Sequence, residues 1–372
     1  MGRKHHRHSI SHRKHKRGKH GNRDSDRKLD PASNATRIAE LLAMDPVSLK
    51  DLRELCWKGD GLVNAFYRRC TWPLILRLDS FELEPLAHDP MLHPEAEQVR
   101  RDVDRSLWKF TRNMQDSERQ HLRDKLYRMV LVLLSRHPDW HYFQGLHDLC
   151  SVVMLVFEKD DLLCDKAIHR ICETWLADCF LSDFSEVNLW LQCLMPILEK
   201  ACPPIFEIIK ATEMQPYFGI SWILTWWVYR IDDVDTCARV FDCFLSDHPL
   251  CSLYMGAQLI LDHANEVNAN ADFAELHAFF ASLTIENPSQ IPSSFLNQSL
   301  WKEFPPKQLL RSSTLAPSSV CRQWPPLWWC DYSNGESDKA NPTLKAQLLM
   351  WSLAASISTL TYLVVTASQS SV

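Results

Sequence analysis

Apolar residues recur three and four positions apart through most of this chain, and only nine of its 372 residues are glycine. That period lines up side chains on one face of a helix, and scarce glycine argues against a fold built on tight hairpins. An all-α fold is the expectation. With 46% hydrophobic and 10% aromatic residues, the chain can bury one large core or two modest ones.

Caps and breakers divide the pattern. Structure is expected from about Ala32. Ser48 or Asp45 caps a short helix with Leu49, Leu52 and Leu55 inward, ended by Gly59. Asp60 caps the next, which runs into Arg68 and stops at Trp72-Pro73. Val99, Val103, Leu107 and Phe110 share one face of a helix over 94–110. Ser117 and Gln120 form a capping box for a long helix to Ser135, closed by His137-Pro138. A loop over 139–144 enters a strongly apolar helix from Gly145, followed by helices over 164–180, 184–200, 205–214, 219–231, 235–245 and 250–265.

Both ends of the chain differ from this body. Residues 1–31 form a basic, His-rich tail of low apolar content, expected to be disordered and more plausibly solvated than metal-binding. Residues 1–28 hold eleven Lys/Arg against Asp24 and Asp26, a surplus of nine that leaves −14 on the rest of a chain with formal net charge −5. An acidic body with a basic tail excludes a fold that wraps nucleic acid. Gly2 does not make a myristoylation signal, because His6 stands where that signal wants Ser or Thr. From residue 304 the helical pattern decays into a Ser/Pro-rich linker, 304–345. It holds the patch Trp324-Pro325-Pro326-Leu327-Trp328-Trp329, which can dock back onto the body.

Residues 346–366 carry no charge; as a helix they would extend about 31 Å, enough to cross a bilayer core. Lys339 and Lys345 precede this stretch and no charged side chain follows it, which keeps the N-terminal side in the cytosol. The segment reads as a single transmembrane tail anchor in preference to a buried or interfacial helix. Thirteen cysteines without a CxxC pair read as reduced cytosolic thiols packed in the core, with no metal centre or disulfide framework.

Three local patterns carry chemistry. The first is Arg68-Arg69-Cys70-Thr71-Trp72-Pro73, where the Arg68 guanidinium can stack on Trp72 or pair with a carboxylate. In the second, Val99 to Arg105, Asp102 and Arg105 lie three apart and face the same way on a helix. The third is the loop Tyr142-Phe143-Gln144-Gly145. His147-Asp148 nearby is not a catalytic dyad: adjacent helical residues point apart and no GxSxG nucleophile accompanies them.

Taken together, RxxxW (Arg68, Trp72), a Val-led variant of IxxDxxR (Val99, Asp102, Arg105) and YxQ (Tyr142, Gln144) resemble the TBC-domain Rab GTPase-activating proteins. The likeness covers about residues 45 to 300 and extends to Ser221-Trp222, Trp226 and Arg239-Val240-Phe241-Asp242. It implies a V-shaped multi-helix bundle, a TBC domain over 32–303, and the likeness is greatest to a tail-anchored member of the family. Arg105 would then be an arginine finger and Gln144 a glutamine finger, both catalytic residues supplied in trans. Asp102, Tyr142, Arg68 and Trp72 would support them. The implied protein has no independent enzyme activity and needs no cofactor, since GTP and Mg²⁺ arrive with the partner GTPase. The implied partners are a Rab in its GTP form, acting between endoplasmic reticulum and Golgi, and reticulon-type membrane proteins. The implied location is the endoplasmic reticulum membrane. The alternative is a TBC-fold scaffold that binds a Rab without accelerating hydrolysis.

Overall fold

The computed structural model describes residues 31–158 and 160–329. Within them the secondary structure is helical: α1 (Pro31–Leu42), α2 (Leu49–Cys56), α3 (Ala65–Ile75), α4 (Ala96–Asp104), α5 (Asp116–Arg136) and α6 (Leu146–Phe157) lead the chain. They are followed by α7 (Asp161–Ile171), α8 (Ser185–Gln192), α9 (Leu194–Ala201), α10 (Pro203–Ala211), α11 (Ile220–Leu224), α12 (Val234–Phe244) and α13 (Cys251–Asp262). The short helices α14 (Phe273–Ser282), α15 (Ser293–Leu296), α16 (Ser299–Glu303), α17 (Pro306–Ser312) and α18 (Val320–Gln323) close the described part. One isolated parallel bridge joins Ile231 to Ile285.

α6 is the axis of the core. Ten of its twelve residues are buried, so it is apolar on every side and must be enclosed by other helices. It packs against α3, α5, α7 and α12. α5 is buried all round only in its second half, from Met129 to Leu134, and its first half has a wet face. The twelve described cysteines are free, and all but Cys202 are buried; burial pushes the Cys70 and Cys193 thiols up to about 11.

Several boundaries depart from the sequence expectations. Ser48 does cap α2, its side chain accepting from the Asp51 N–H. The next helix is capped by Asn64 instead of Asp60 and runs through Pro73 to Ile75. An interior proline costs about 3 kcal/mol, but Trp72 and Ile75 beside it are fully buried, and their packing offsets that cost. The capping box of α5 is Gln115 with Glu118, two residues ahead of the Ser117–Gln120 pair. The helix expected over 94–110 ends at Asp104. The one expected over 219–231 breaks at Trp226 and Trp227, whose φ of 47° and 69° no α-helix accommodates.

Residues 304–329, the front of the expected linker, are folded onto the body. Buried Asp178 accepts from the Ser319 hydroxyl at 2.6 Å, the Val320 N–H at 3.2 Å and the Trp190 indole at 2.9 Å. The rings of Trp324, Trp328 and Trp329 gather around Trp175 at 5.3, 6.2 and 5.9 Å. Among the described residues no helix is long and apolar enough to cross a membrane. Residues 1–30 of the basic tail, residues 330–345 and the candidate anchor 346–366 lie outside the described residues, while Pro31 opens α1.

Candidate functional site

Helix α4 ends where the site begins. Asp102, in its last turn, is 1% exposed, whereas the side chain of Arg105, its C-cap residue, is 71% exposed. Arg105 Nη2 meets Asp102 Oδ1 at 2.5 Å and Nε donates to the Arg101 carbonyl at 3.2 Å. Two of the guanidinium's N–H groups are thereby spent inward and its outer edge faces solvent. A planar, permanently charged fork held in this way suits the oxygens of a phosphate.

The other carboxylate oxygen of Asp102 reaches the second pattern. Tyr142 donates its hydroxyl to Asp102 Oδ2 at 3.0 Å, and Gln98 Nε2 donates to the same atom at 3.3 Å. Burial, and then the Asp102 charge, push the Tyr142 phenol far above its ordinary value, so it keeps the proton it donates. The phenolic oxygen must then accept from His147 Nδ1, 2.8 Å away, because a phenol has a single hydrogen. That fixes the His147 tautomer. The Tyr142 backbone N–H donates to Glu95 Oε2 at 2.8 Å, which holds the loop from its other side.

This network holds Gln144 at the surface. Phe143 is buried edge-on against Phe180, with centroids 5.0 Å apart. Gly145 follows at φ +110°, and a Cβ there would stand 2.6 Å from Thr225 Cγ2; only glycine meets both conditions. Between these two buried neighbours Gln144 is exposed. An exposed carboxamide can accept from a water and donate to a phosphate at once.

The structure thus brings together Arg105, Asp102, Tyr142 and the Gln144 loop, all anticipated from sequence. It does not bring in Arg68 and Trp72, which lie in a separate buried cluster. Arg68 Nε and Nη2 each reach Asp242 at 3.0 Å, and Trp72 Nε1 donates to Asp242 Oδ1 at 2.9 Å. The carboxylate pairing, not stacking on Trp72, is therefore the one realised, and it supports the site through the fold.

Sequence reasoning missed Glu95, Gln98, Arg119 and Arg123. His147, expected only to pack at a helix start, is buried in the first turn of α6 and also serves as a hydrogen-bond partner of Tyr142. Its Nε2 stands 3.6 Å from Asp148 Oδ1, nearer than adjacent helical residues were expected to come but too far for a hydrogen bond. Arg119 and Arg123, four apart on α5, clamp the chain after Arg105. Arg123 donates to the Ser106 carbonyl at 3.1 Å, and Arg119 to the Thr111 carbonyl and hydroxyl at 2.7 and 2.8 Å. Their four-residue spacing, which puts both on one face of α5, is the local sign of this.

The chain is similar to known proteins over most of its described length. The Rab-GTPase-TBC domain family matches residues 66–267. TBC1 domain family member 20 of Mus musculus is 28% identical over 288 residues, covering 76% of this chain and 71% of its own. The GTPase-activating protein gyp10 of Schizosaccharomyces pombe is 26% identical over 266 residues, 69% of each chain. Among solved structures, the Ypt/Rab-GAP domain of Gyp1p aligns with a TM-score of 0.60 at 14% identity, covering 74% of this chain and 99% of that one. A Chlamydomonas flagellar RabGAP TBC domain aligns with a TM-score of 0.56 at 12% identity over 73% of this chain and 92% of its own. At these identities the structures bear on fold alone.

Proposed function

The chain belongs to the Rab-GTPase-TBC domain family, and from that premise we propose that it accelerates GTP hydrolysis by a Rab-type small GTPase through Arg105 and Gln144. The observation that carries this reading is one hydrogen-bonded unit, Arg105–Asp102–Tyr142, which presents an arginine fork and a glutamine amide from two neighbouring segments. A GTPase alone neutralises the charge of its transition state poorly and holds the attacking water loosely. An arginine supplied in trans is worth about 10³–10⁵ in rate, or roughly 4–7 kcal/mol of barrier. Arg105 supplies that charge at the β- and γ-phosphates, and Gln144 orients the water in place of the GTPase's own glutamine.

Asp102 prepays the ordering of Arg105, because a flexible arginine must otherwise lose rotamer freedom at the moment of reaction. Tyr142 couples the two segments, so the two side chains approach the nucleotide as a unit. GTP and Mg²⁺ come with the partner in this reading. The uncharged stretch 346–366 supports membrane anchoring, placing the domain on the endoplasmic reticulum, on the surface its Rab occupies, and raising the local concentration of the pair.

The test is single-turnover GTP hydrolysis by a panel of Rabs, early-secretory members included, with the full-length chain intact and as Arg105→Ala and Gln144→Ala. Strong acceleration of one or two Rabs, lost in both variants, is the expected result. Binding without acceleration by the folded wild-type chain would make the protein a Rab-binding scaffold instead. For the anchor, a reporter fused to residues 340–372 should resist carbonate extraction from internal membranes; a reporter that washes off rejects that part of the reading.

A further inference from the structure

Two exposed aromatic side chains border the Arg105–Gln144 site without taking part in its network. Trp108 is 53% exposed and Tyr229 65% exposed. Neither is on a loose segment. The guanidinium groups of Arg119 and Arg123 lie 4.0 and 4.9 Å from the Trp108 ring centroid. Both arginines are buried and clamp carbonyls on either side of this tryptophan, at Ser106 and Thr111. The backbone between them passes through a left-handed residue, Leu107 at φ 68°. Leu107 is buried while Trp108 faces out.

Tyr229 is presented by the break after α11. The positive φ values of Trp226 and Trp227 turn the chain so that both indoles enter the core, and Tyr229 emerges two residues later. This segment is fastened to both halves of the site. Thr225 abuts Gly145 beside Gln144 and accepts from the Tyr229 N–H at 3.3 Å. Lys109, next to Trp108, donates to the carbonyls of Val228 and, at 2.9 Å, Ile231.

We propose that Trp108 and Tyr229 are the aromatic anchors that seat the GTP-bound Rab on this surface and set which Rab is accepted. This rests on the Rab-activating reading above and adds the residues that carry affinity. If Arg105 reaches a bound nucleotide, the residue three positions on lies at most about 11 Å away along the chain. A standard interface buries about 800 Å² on each partner, a disc of roughly 16 Å radius. With Arg105 near the centre of that disc, Trp108 falls inside the footprint, and Tyr229, on the segment that Lys109 fastens at Val228 and Ile231, flanks it. Large aromatic side chains already fixed before binding lose little entropy on association and are the residues that dominate interface energies. The Rab surface around its nucleotide must then offer apolar side chains at these two points, and a Rab with charged residues there is rejected.

The experiment is titration of the full-length chain with Rabs loaded with a non-hydrolysable GTP analogue, paired with single-turnover hydrolysis at saturating protein. Trp108→Ala should weaken binding of the preferred Rab about 30-fold and Tyr229→Ala about 10-fold, and Trp108→Phe should recover most of the loss. The saturated rate should stay within about 2-fold, since interactions shared by ground and transition states move affinity alone. Trp108→Ala should also shrink the affinity ratio between the preferred Rab and the others. Binding within about 2-fold of wild type in both alanine variants would overturn the proposal. So would a fall in the saturated rate with affinity intact, the signature of a residue that merely props the Arg105 loop, or a folded wild-type chain that binds no GTP-form Rab. Wild type that binds without accelerating hydrolysis removes the activator reading alone, and the affinities of the variants still decide the anchors.

Discussion

Two arginine–aspartate pairs in this molecule use the same chemistry for opposite ends. In the first, Arg68 and Asp242 are both buried, at 2% and 0% side-chain exposure. The Asp242 carboxylate also takes the Trp72 indole N–H and, at 3.2 Å, the Leu62 N–H. In the second, only the aspartate is buried: Asp102 is 1% exposed and Arg105 71%. The first pair joins α3 to α12 and is sealed away from any partner. The second fixes the root of an arginine whose outer edge is free. Burial of both partners makes a structural bolt; burial of the acid alone makes a preorganised probe.

The comparison can be broken at several points. The largest effect should follow Arg105→Ala, which removes about 10³–10⁵ of stimulated hydrolysis yet costs no more than about 1–2 kcal/mol of stability, measured by single-turnover kinetics and denaturant melts on the same samples. Asp242→Ala should do the reverse. Leaving Arg68 buried and unpaired costs about 3–5 kcal/mol, while the saturated hydrolysis rate of the remaining folded protein is preserved. A loss of rate without loss of stability in Asp242→Ala would erase the distinction between the pairs. Tyr142→Phe sharpens it: deleting the hydroxyl that joins Asp102 to His147 should cost about 0.5–1.5 kcal/mol. It should slow the saturated rate by roughly that energy, about 2- to 13-fold, with affinity unchanged.

A smaller effect concerns pH. Burial holds His248 down to about 3 from its ordinary 6.5 and lifts neighbouring Asp247 to about 6 from 3.8. His248 is neutral in the folded state, so its contribution is present above pH 6.5 and is lost as pH falls toward 3. Asp247 keeps its proton in the folded state up to about pH 6, so its contribution is present at low pH and is lost as pH rises from 3.8 to 6. The two slopes oppose each other between pH 4 and 6. His248→Asn should remove one, making stability rise on acidification relative to wild type by up to about 1.4 kcal/mol per pH unit in that window. Melting midpoints across pH 4 to 7 would read it.

What was legible in the sequence was local. The Ser48 cap, the apolar helix after Gly145 and the three-residue offset of Asp102 and Arg105 are properties of short windows, and each appears in the structure as the spacing implies. What was illegible depends on contacts far apart in the chain. Pro73 stays within α3 alongside Trp72, whose indole is bonded to Asp242, 170 residues away. The Trp-rich patch after residue 323 was readable as one that docks back, but nothing near Ser319 announces that it will bond to Asp178. Tyr142 illustrates both sides. Its place before Gln144 was readable, but two of its partners, Glu95 and Asp102, lie at opposite ends of α4, 47 and 40 residues away, and the third, His147, opens α6.

The claim that the second pair and its glutamine act in trans has one most direct test. Hydrolysis should be followed for an accelerated Rab whose own water-orienting glutamine has been replaced by alanine, with wild-type chain and with Gln144→Ala. The account predicts that wild type still accelerates this Rab nearly as well as the unaltered one, and that Gln144→Ala accelerates neither. Acceleration that vanishes with the Rab's own glutamine and survives loss of Gln144 would contradict it.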